Sequence, residues 1–392
     1  MTRYPYLILG GGMTGDAAAH AIRDVDPNVA VGMISAEPHP PYARPPLSKG
    51  LWKGDPEDGI WRATGTAGID LRLGTRITAI DPRTKTLTDD RGEVVGYGKL
   101  LLATGGTPRR LPLDTEQIIY FRTYDDYRRL RALAHERLRF AVLGGGFIGT
   151  EIAAALRSVG RDVVMLVPEA GLGARVFPAD LSRFLVDYYG EQGVELRTGE
   201  GLAGLTPRGG KVAIKTTSGA ELPVDVVVAG LGILPNVELA EQAGVRVDNG
   251  IVVDDLLRTG VPDIFAAGDV ANFFNPALGT RMRVEHEDNA TTMGAAAGRA
   301  MTGHGSPYAH LPFFYSDLFA LGYEAVGELD PRLETVADWK EPFREGVVYY
   351  LRDARVRGVL LWNTWGQVEA ARALIAEPGP FAPRDLRGRL PA

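Results

Sequence analysis

The sequence predicts an α/β protein built on a doubled strand, glycine turn and helix unit, closed by a smaller α+β segment at its C-terminal end. Three observations carry this reading. The apolar run Tyr6-Leu7-Ile8-Leu9 enters Gly10-Gly11-Gly12-Met13-Thr14-Gly15 and an Ala-rich stretch from Asp16 to Arg23. The same grammar returns 134 residues later: Phe140 to Leu143, then Gly144-Gly145-Gly146-Phe147-Ile148-Gly149, then Thr150 to Arg157. Glycine supplies 49 of the 392 residues, above the usual ~7%, as a chain rich in tight turns and close backbone approaches requires. At roughly 100 to 200 residues per domain the length predicts two to four domains. The 45% hydrophobic and 23% charged composition is that of a globular protein rather than a disordered or membrane-embedded one.

In each unit the first glycine makes the turn, the second lets backbone approach a pyrophosphate, and the third brings helix against strand. The helix start then presents unpaired N–H groups and the positive end of its dipole to the phosphates. One such turn also serves packing alone. Here the chain re-enters a strand after each turn, Val29 to Ile34 and Val163 to Val167, and reaches Glu37 and Glu169. These lie 22 and 20 residues beyond Gly15 and Gly149, about where an acid holds a ribose 2′-hydroxyl. Each unit adds a later apolar run ending in glycine, Leu100 to Gly106 and Val226 to Gly232, suited to parallel strands buried on both faces. Two Rossmann-like dinucleotide-binding units imply two nucleotides, and the natural pair is a bound flavin with a mobile nicotinamide. A third segment, Thr259 to Asp269, places an Asp at the end of an apolar strand, where it also reads as a strand-to-helix cap. Near the end, Val347 to Leu351 and Val356 to Leu361 read as paired strands around Asp353-Ala354-Arg355.

Other chemistries are excluded by composition. Lys plus Arg is 43 against 49 for Asp plus Glu, a net charge of −6, the wrong sign for a nucleic-acid partner. The sequence holds no cysteine, which removes disulfides, thiolate nucleophiles, iron–sulfur clusters and Cys-ligated zinc. The six histidines show no metal-ligand spacing and there is no G-x-S-x-G elbow, so no metal site is expected. No run approaches the ~20 apolar residues of a membrane span, and Tyr6 to Leu9 is too short for a signal-peptide core. A cytoplasmic protein without a membrane anchor is expected.

Further motifs join these: Pro41-Tyr42-Ala43-Arg44-Pro45-Pro46-Leu47-Ser48-Lys49, Thr104-Gly105-Gly106-Thr107-Pro108-Arg109, Val167-Pro168-Glu169, Leu234-Pro235-Asn236, Val284-Glu285-His286 and Ser316-Asp317. With them, the chain from Tyr4 to about Ile375 resembles the FAD-dependent pyridine nucleotide oxidoreductases, in the branch containing apoptosis-inducing factor and bacterial ferredoxin reductases. The tail, Gly346 to Asp353 followed by Leu360-Leu361-Trp362-Asn363, is more similar to apoptosis-inducing factor, although Glu334 to Gly346 is short where the eukaryotic factor carries a long insertion.

The resemblance implies two glutathione reductase-like dinucleotide domains and a C-terminal α+β domain: an FAD domain from residues 1–113 and 236–304, an NADH domain at 114–235, and a C-terminal domain at 305–392. It implies FAD at the first fingerprint, with Gly10, Gly12 and Gly15 on its pyrophosphate, Glu37 on its adenosine ribose, Asp269 on its ribityl chain, and Arg44 and Arg122 as further contacts. Arg122 also reads as a solvated charge in the Arg-rich stretch Arg122 to Arg139. NADH is implied at the second fingerprint, through Gly144, Gly146, Phe147, Ile148 and Gly149. Glu169 favours a 2′-hydroxyl over a 2′-phosphate, while Arg175 nearby suits the phosphate. Gly232, Glu285 and His286 are implied nicotinamide contacts.

As catalytic groups the resemblance implies Lys49 paired with Glu151 beside the flavin, Phe147 between nicotinamide and flavin before NADH arrives, and His286 at the start of an Ala-rich helix. Read without the resemblance, Lys49 is a surface lysine and Phe147 packs a helix on its sheet. The family Trp before Ser-Asp is Tyr315 here, which also stacks on a flavin but with less area. Without cysteine, neither a disulfide reductase nor the related peroxidases and water-forming oxidases can be built. The expected activity is transfer of hydride from NADH to FAD, and of electrons onward to an external acceptor, an acidic ferredoxin, a rubredoxin or a quinone. The alternative is an NADH-sensing flavoprotein, like apoptosis-inducing factor, whose reduced charge-transfer complex controls partner binding or dimerisation. A monomer or an NADH-dependent homodimer is expected accordingly.

Overall fold

The computed structural model describes residues 1–390 apart from Asp114 and Arg137. The expected domain boundary at 113/114, one arginine of the Arg-rich stretch and the end of the 305–392 segment therefore lie partly outside the described residues. In chain order, the elements that position the site are β1 (Thr2–Leu9), α1 (Met13–Val25), β2 (Val31–Ile34), β3 (Val94–Leu102), α2 (Tyr124–Leu133), β4 (Arg139–Leu143), α3 (Phe147–Ser158), β5 (Asp162–Val167), β6 (Val226–Ala229), β7 (Ile264–Ala266), α4 (Glu287–Met301), β8 (Phe313–Leu318), β9 (Leu321–Gly327), β10 (Glu334–Glu341), β11 (Glu345–Arg352) and β12 (Arg355–Trp362). The chain divides into two compact units. One is Met1–Arg44, Pro56–Thr107 and Leu234–Pro312; the other is Pro45–Asp55, Pro108–Ile233 and Phe313–Ala392. Among the described residues no helix is long and apolar enough to cross a membrane.

In the first unit β1 lies between β2 and β3, parallel to both, and β7 adds to the far side of β3. The registers Leu9↔Ile34, Leu9↔Leu102 and Ala266↔Leu102 bring the carboxyl ends of all four strands to one edge. Leu7, Ile8, Leu100 and Leu101 are fully buried, as sheet residues covered on both faces must be. The glycine turn, Glu37 and Asp269 all follow from that edge, where open α/β sheets bind their ligands.

The second unit repeats the arrangement. Strands Glu195–Thr198, β5, β4, β6 and Ile118–Ile119 form a parallel sheet, with Leu143 opposite both Leu166 and Ala229. A three-stranded antiparallel sheet, 202–208, 211–216 and 221–224, follows β5 in sequence and precedes β6. The C-terminal segment is an antiparallel sheet in the order β8-β9-β12-β11-β10, with helix Val368–Ala376 against it. Its hairpin turns through Asp353 and Ala354 at φ 52° and 55°, the doubly left-handed turn that matches strand twist. β8 lies on α3, which joins the C-terminal sheet to the second fingerprint. The fold class is thus α/β with two Rossmann-like domains and a C-terminal α+β domain.

Each fingerprint is fixed by sterics. Gly10 and Gly144 adopt φ 125° and 102°, open to glycine at no steric cost. A Cβ on Gly15 would collide with the Gly10 carbonyl, and one on Gly149 with the Gly144 carbonyl. Gly12 and Gly146 instead face open space. Gly15→Ala is therefore expected to lower the urea midpoint of the flavin-free chain by the equivalent of about 1–3 kcal/mol of overpacking. Gly12→Ala should stay within about 0.5 kcal/mol. Equal effects would contradict the steric assignment.

Candidate functional site

At the first cradle α1 starts directly after Gly12 and has no side-chain cap. Its first-turn N–H groups are thus left to an incoming acceptor, and the space at Gly12 is what a Cβ there would fill. An uncapped helix start behind an open glycine fits a pyrophosphate. Glu37 lies beyond β2 with both oxygens engaged: Oε1 accepts from Arg44 Nη2 at 2.6 Å and Oε2 from the Tyr42 hydroxyl at 2.5 Å. The Arg44 guanidinium also lies 5.4 Å from the centre of the Tyr42 ring. Glu37 thus orients the cluster through both of its oxygens.

Asp269 occupies the turn Gly268–Val270 just past β7. Its carbonyl accepts from Arg283 Nη1 at 3.0 Å, and Arg283 in turn holds Glu285 at 2.6 Å. His286 is the N-terminal cap residue of α4. Burial is the main influence on its imidazole and pushes it down to about 4, against the opposing pull of Asp269 and Asp288. It is neutral at neutral pH, leaving the positive end of α4 uncomplicated by a second cation. The first unit therefore brings together Gly10, Gly12, Gly15, Glu37, Arg44, Asp269, Glu285 and His286.

The second unit holds the others. α3 follows Gly146 and, like α1, has no side-chain cap, so the second cradle has the same capacity for an anion. Phe147 opens α3 and packs on Phe314 of β8 at 5.2 Å between ring centres, while Ile148 is exposed. Glu169, two residues past β5, accepts from Arg175 Nη2 at 2.8 Å; Arg175 is 87% exposed. Gly232 turns at φ 81° with open space on its Cβ side. Arg122 precedes α2 and its backbone N–H donates to Asp126. On α2 the Arg128 guanidinium covers Tyr124, Arg131 covers Trp52, and Arg129 reaches the Glu116 carbonyl, so these charges take part in the packing of the helix.

A deeply buried ionic group is Glu151 on α3, only 3% exposed, whose Oε2 lies 2.8 Å from Lys49 Nζ. Lys49 is 12% exposed and stands over the Tyr315 ring at 5.3 Å. A buried carboxylate is tolerated only when paired and hydrogen-bonded, and Lys49 together with the Ser48 and Ser316 hydroxyls meets that condition. Four functional neighbours were not singled out in the sequence: Tyr42, Arg283, Ser48 and Ser316. Tyr42 and Ser48 lay within the Pro41–Lys49 motif, Arg283 stood two residues before Glu285, and Ser316 was noted only as part of Ser-Asp.

Residues 4–294 match the family model for pyridine nucleotide-disulphide oxidoreductases. Residues 297–342 and 337–377 match that for the C-terminal region of mitochondrion-associated apoptosis-inducing factor. The ferredoxin–NAD(+) reductase component of an anthranilate 1,2-dioxygenase system from Burkholderia cepacia is 37% identical, over 98% of this chain and 97% of the relative. Apoptosis-inducing factor 1, mitochondrial, from Dictyostelium discoideum is 31% identical over 95% and 78%. The crystal structure of a covalent putidaredoxin reductase–putidaredoxin complex superposes with a TM-score of 0.91 at 30% identity, covering 98% of this chain and 95% of that one. The resemblance read from the motifs is borne out.

His286 generates a pH prediction. Its folded value, about 4, lies below the ordinary 6.5, so the unfolded chain takes up the proton first as pH falls. Its contribution to stability is complete above about 6.5 and lost progressively down to about 4. Urea unfolding of the flavin-free chain across that window should show a decline that His286→Gln reduces; superimposable profiles would contradict the assignment.

Proposed function

The chain belongs to the pyridine nucleotide-disulphide oxidoreductase family, and from that premise we propose that it is an NADH-dependent flavoprotein reductase delivering electrons to an external ferredoxin- or rubredoxin-like protein or to a quinone. It is an oxidoreductase whose cofactors are FAD and NAD(H). The observation that carries the reading is the coexistence of two open glycine cradles with a buried lysine–carboxylate pair in a chain without cysteine. With no thiol to receive electrons, they must pass directly to a separate acceptor. The 37% identity to a ferredoxin–NAD(+) reductase component supports a ferredoxin-like acceptor.

When bound, FAD accepts hydride from NADH and passes electrons on, and the protein supplies binding, orientation and field. In this reading residues 1–113 and 236–304 bind FAD, 114–235 bind NADH and 305–392 form the C-terminal domain. Gly10, Gly12 and Gly15 admit the FAD pyrophosphate to the start of α1. Glu37 accepts from the adenosine ribose and is held for that task by Tyr42 and Arg44. Arg122 is a further FAD contact, and Asp269 holds the ribityl hydroxyls. Gly144, Gly146 and Gly149 take the pyrophosphate of NADH, with Ile148 and Gly232 beside the nucleotide.

Lys49, fixed by Glu151, offers a positive charge to the anionic reduced flavin. Tyr315 stacks on the ring system in place of the family tryptophan. Phe147 covers the nicotinamide position until NADH displaces it, and Glu285 and neutral His286 complete that pocket. Glu169 selects the 2′-hydroxyl of NADH. Arg175 weakens that choice because it already shares the carboxylate and suits a phosphate.

A second reading, an NADH sensor whose reduced form binds a partner or a second copy, is favoured by the C-terminal match to apoptosis-inducing factor. One anaerobic stopped-flow experiment separates the two. NADH should bleach the flavin with a kcat/KM about tenfold or more above that for NADPH, a difference of roughly 1.4 kcal/mol. Ferredoxin, rubredoxin or quinone should then restore the colour at the turnover rate. A reduced form that persists with every acceptor and changes size by light scattering would favour the sensor, and a preference for NADPH would overturn the role of Glu169.

A further inference from the structure

Three donors converge on the Glu151 carboxylate. Oε2 accepts from Lys49 Nζ at 2.8 Å and from the Ser48 hydroxyl at 2.5 Å, and Oε1 accepts from the Ser316 hydroxyl at 2.6 Å. Ser48 precedes Lys49 in the chain, whereas Ser316 arrives on β8, 165 residues from Glu151. The two hydroxyls therefore grip the carboxylate from different elements.

Proton counting gives this network a direction. A serine hydroxyl has one proton to donate, and the Ser316 proton is used on Glu151. Ser316 is the cross-strand partner of the buried Tyr323 between β8 and β9. Burial, and then the charge of Glu151, hold the Tyr323 phenol well above its ordinary value, so it adds no second negative charge beside the carboxylate. Ser48 has one other acceptor within reach, the Pro45 carbonyl at 3.4 Å, which is weak beside its 2.5 Å bond to Glu151. Ser316 thus donates to Oε1, while Ser48 and Lys49 donate to Oε2.

We propose that Ser48 and Ser316 are positioning residues that fix the plane of the Glu151 carboxylate, and through it the Lys49 ammonium, so that the pair sets the reduction potential of the bound flavin. This deepens the reading of Lys49 and Glu151 given above and rests on it. A carboxylate held only through Oε2 is free to turn about its terminal torsion, which is broad and roughly two-fold, and carries the ammonium with it. Gripping Oε1 removes that freedom. Ser316 should matter more than Ser48, because its loss strips Oε1 of its hydroxyl. Loss of Ser48 leaves Lys49 still on Oε2.

The test measures the midpoint potential of the bound flavin at fixed pH by spectroelectrochemistry in the holoprotein and in Ser316→Ala, Ser48→Ala, Ser316→Thr, Glu151→Gln and the Ser316→Ala/Glu151→Gln double variant. Ser316→Ala should move the potential in the same direction as Glu151→Gln, Ser48→Ala less so, and Ser316→Thr should restore it. In the Glu151→Gln background Ser316→Ala should add nothing, since the two act through one interaction. Flavin reduction at saturating NADH should slow about tenfold in Ser316→Ala while NADH affinity changes less than about twofold.

If Glu151→Gln moves the potential but neither serine variant does, the positioning role is overturned and the function of the ion pair stands. A lower melting temperature of the flavin-free Ser316→Ala chain with an unmoved potential means a structural role and also overturns it. If Glu151→Gln leaves the potential unchanged, the premise falls and the proposal with it.

Discussion

The constraint on which the rest depends is the contact between the third glycine of each fingerprint and the carbonyl of the first. That contact permits no Cβ, so helix and strand meet at backbone distance and the helix must begin where the strand ends. Two consequences follow from sterics alone. The uncapped N–H groups of α1 and α3 are aimed into the space left at Gly12 and Gly146, and the acids after β2 and β5 fall at the same sheet edge. Because the parallel registers bring neighbouring strand ends level, Asp269 arrives at that edge in the first unit and Gly232 in the second. A single geometric device, used twice, brings the open glycines, the uncapped helix start and the acid after the next strand to one sheet edge in each unit.

Electrostatics then differentiates the two copies. In the first, Glu37 accepts from Tyr42 and Arg44, Glu285 is tied to Arg283, and His286 is kept neutral by burial. In the second, the acid of the fingerprint, Glu169, is shared with the exposed Arg175. The helix of the first copy carries Asp16 in its opening turn, bonded to Arg62 and Thr64. That of the second carries Glu151, bonded to Lys49, Ser48 and Ser316. Each fingerprint helix thus carries a buried carboxylate held by a cation and hydroxyls, Asp16 by Arg62 and Thr64 in one copy and Glu151 by Lys49, Ser48 and Ser316 in the other.

Much of this was legible in the sequence because it is local. The glycine turns, the acids about 20 residues on and the hairpin at Asp353 and Ala354 are each written within a few consecutive residues. Where local signals conflicted, the structure shows which prevailed. Pro5 marks the apparent start of β1 at Tyr6, yet the strand begins at Thr2. It interrupts the ladder with β3, where Tyr4 and Tyr6 pair but Pro5, with no N–H to give, does not, and Gly98 there has no Cβ to collide with the Pro5 carbonyl. What the sequence hid is long-range: nothing near Ser316 announces a carboxylate 165 residues away. The pairing of Arg283 with Glu285 is equally silent, since a short charged string reads as solvated surface.

The account stands on two separable anion cradles, one for each nucleotide, and equilibrium dialysis of FAD and of NAD+ against Gly12→Val and Gly146→Val tests it most directly. Each valine fills one open space and leaves the other untouched. The account predicts that Gly12→Val loses FAD while retaining NAD+, and that Gly146→Val does the reverse. Loss of both ligands in either folded variant, or retention of both, would contradict it.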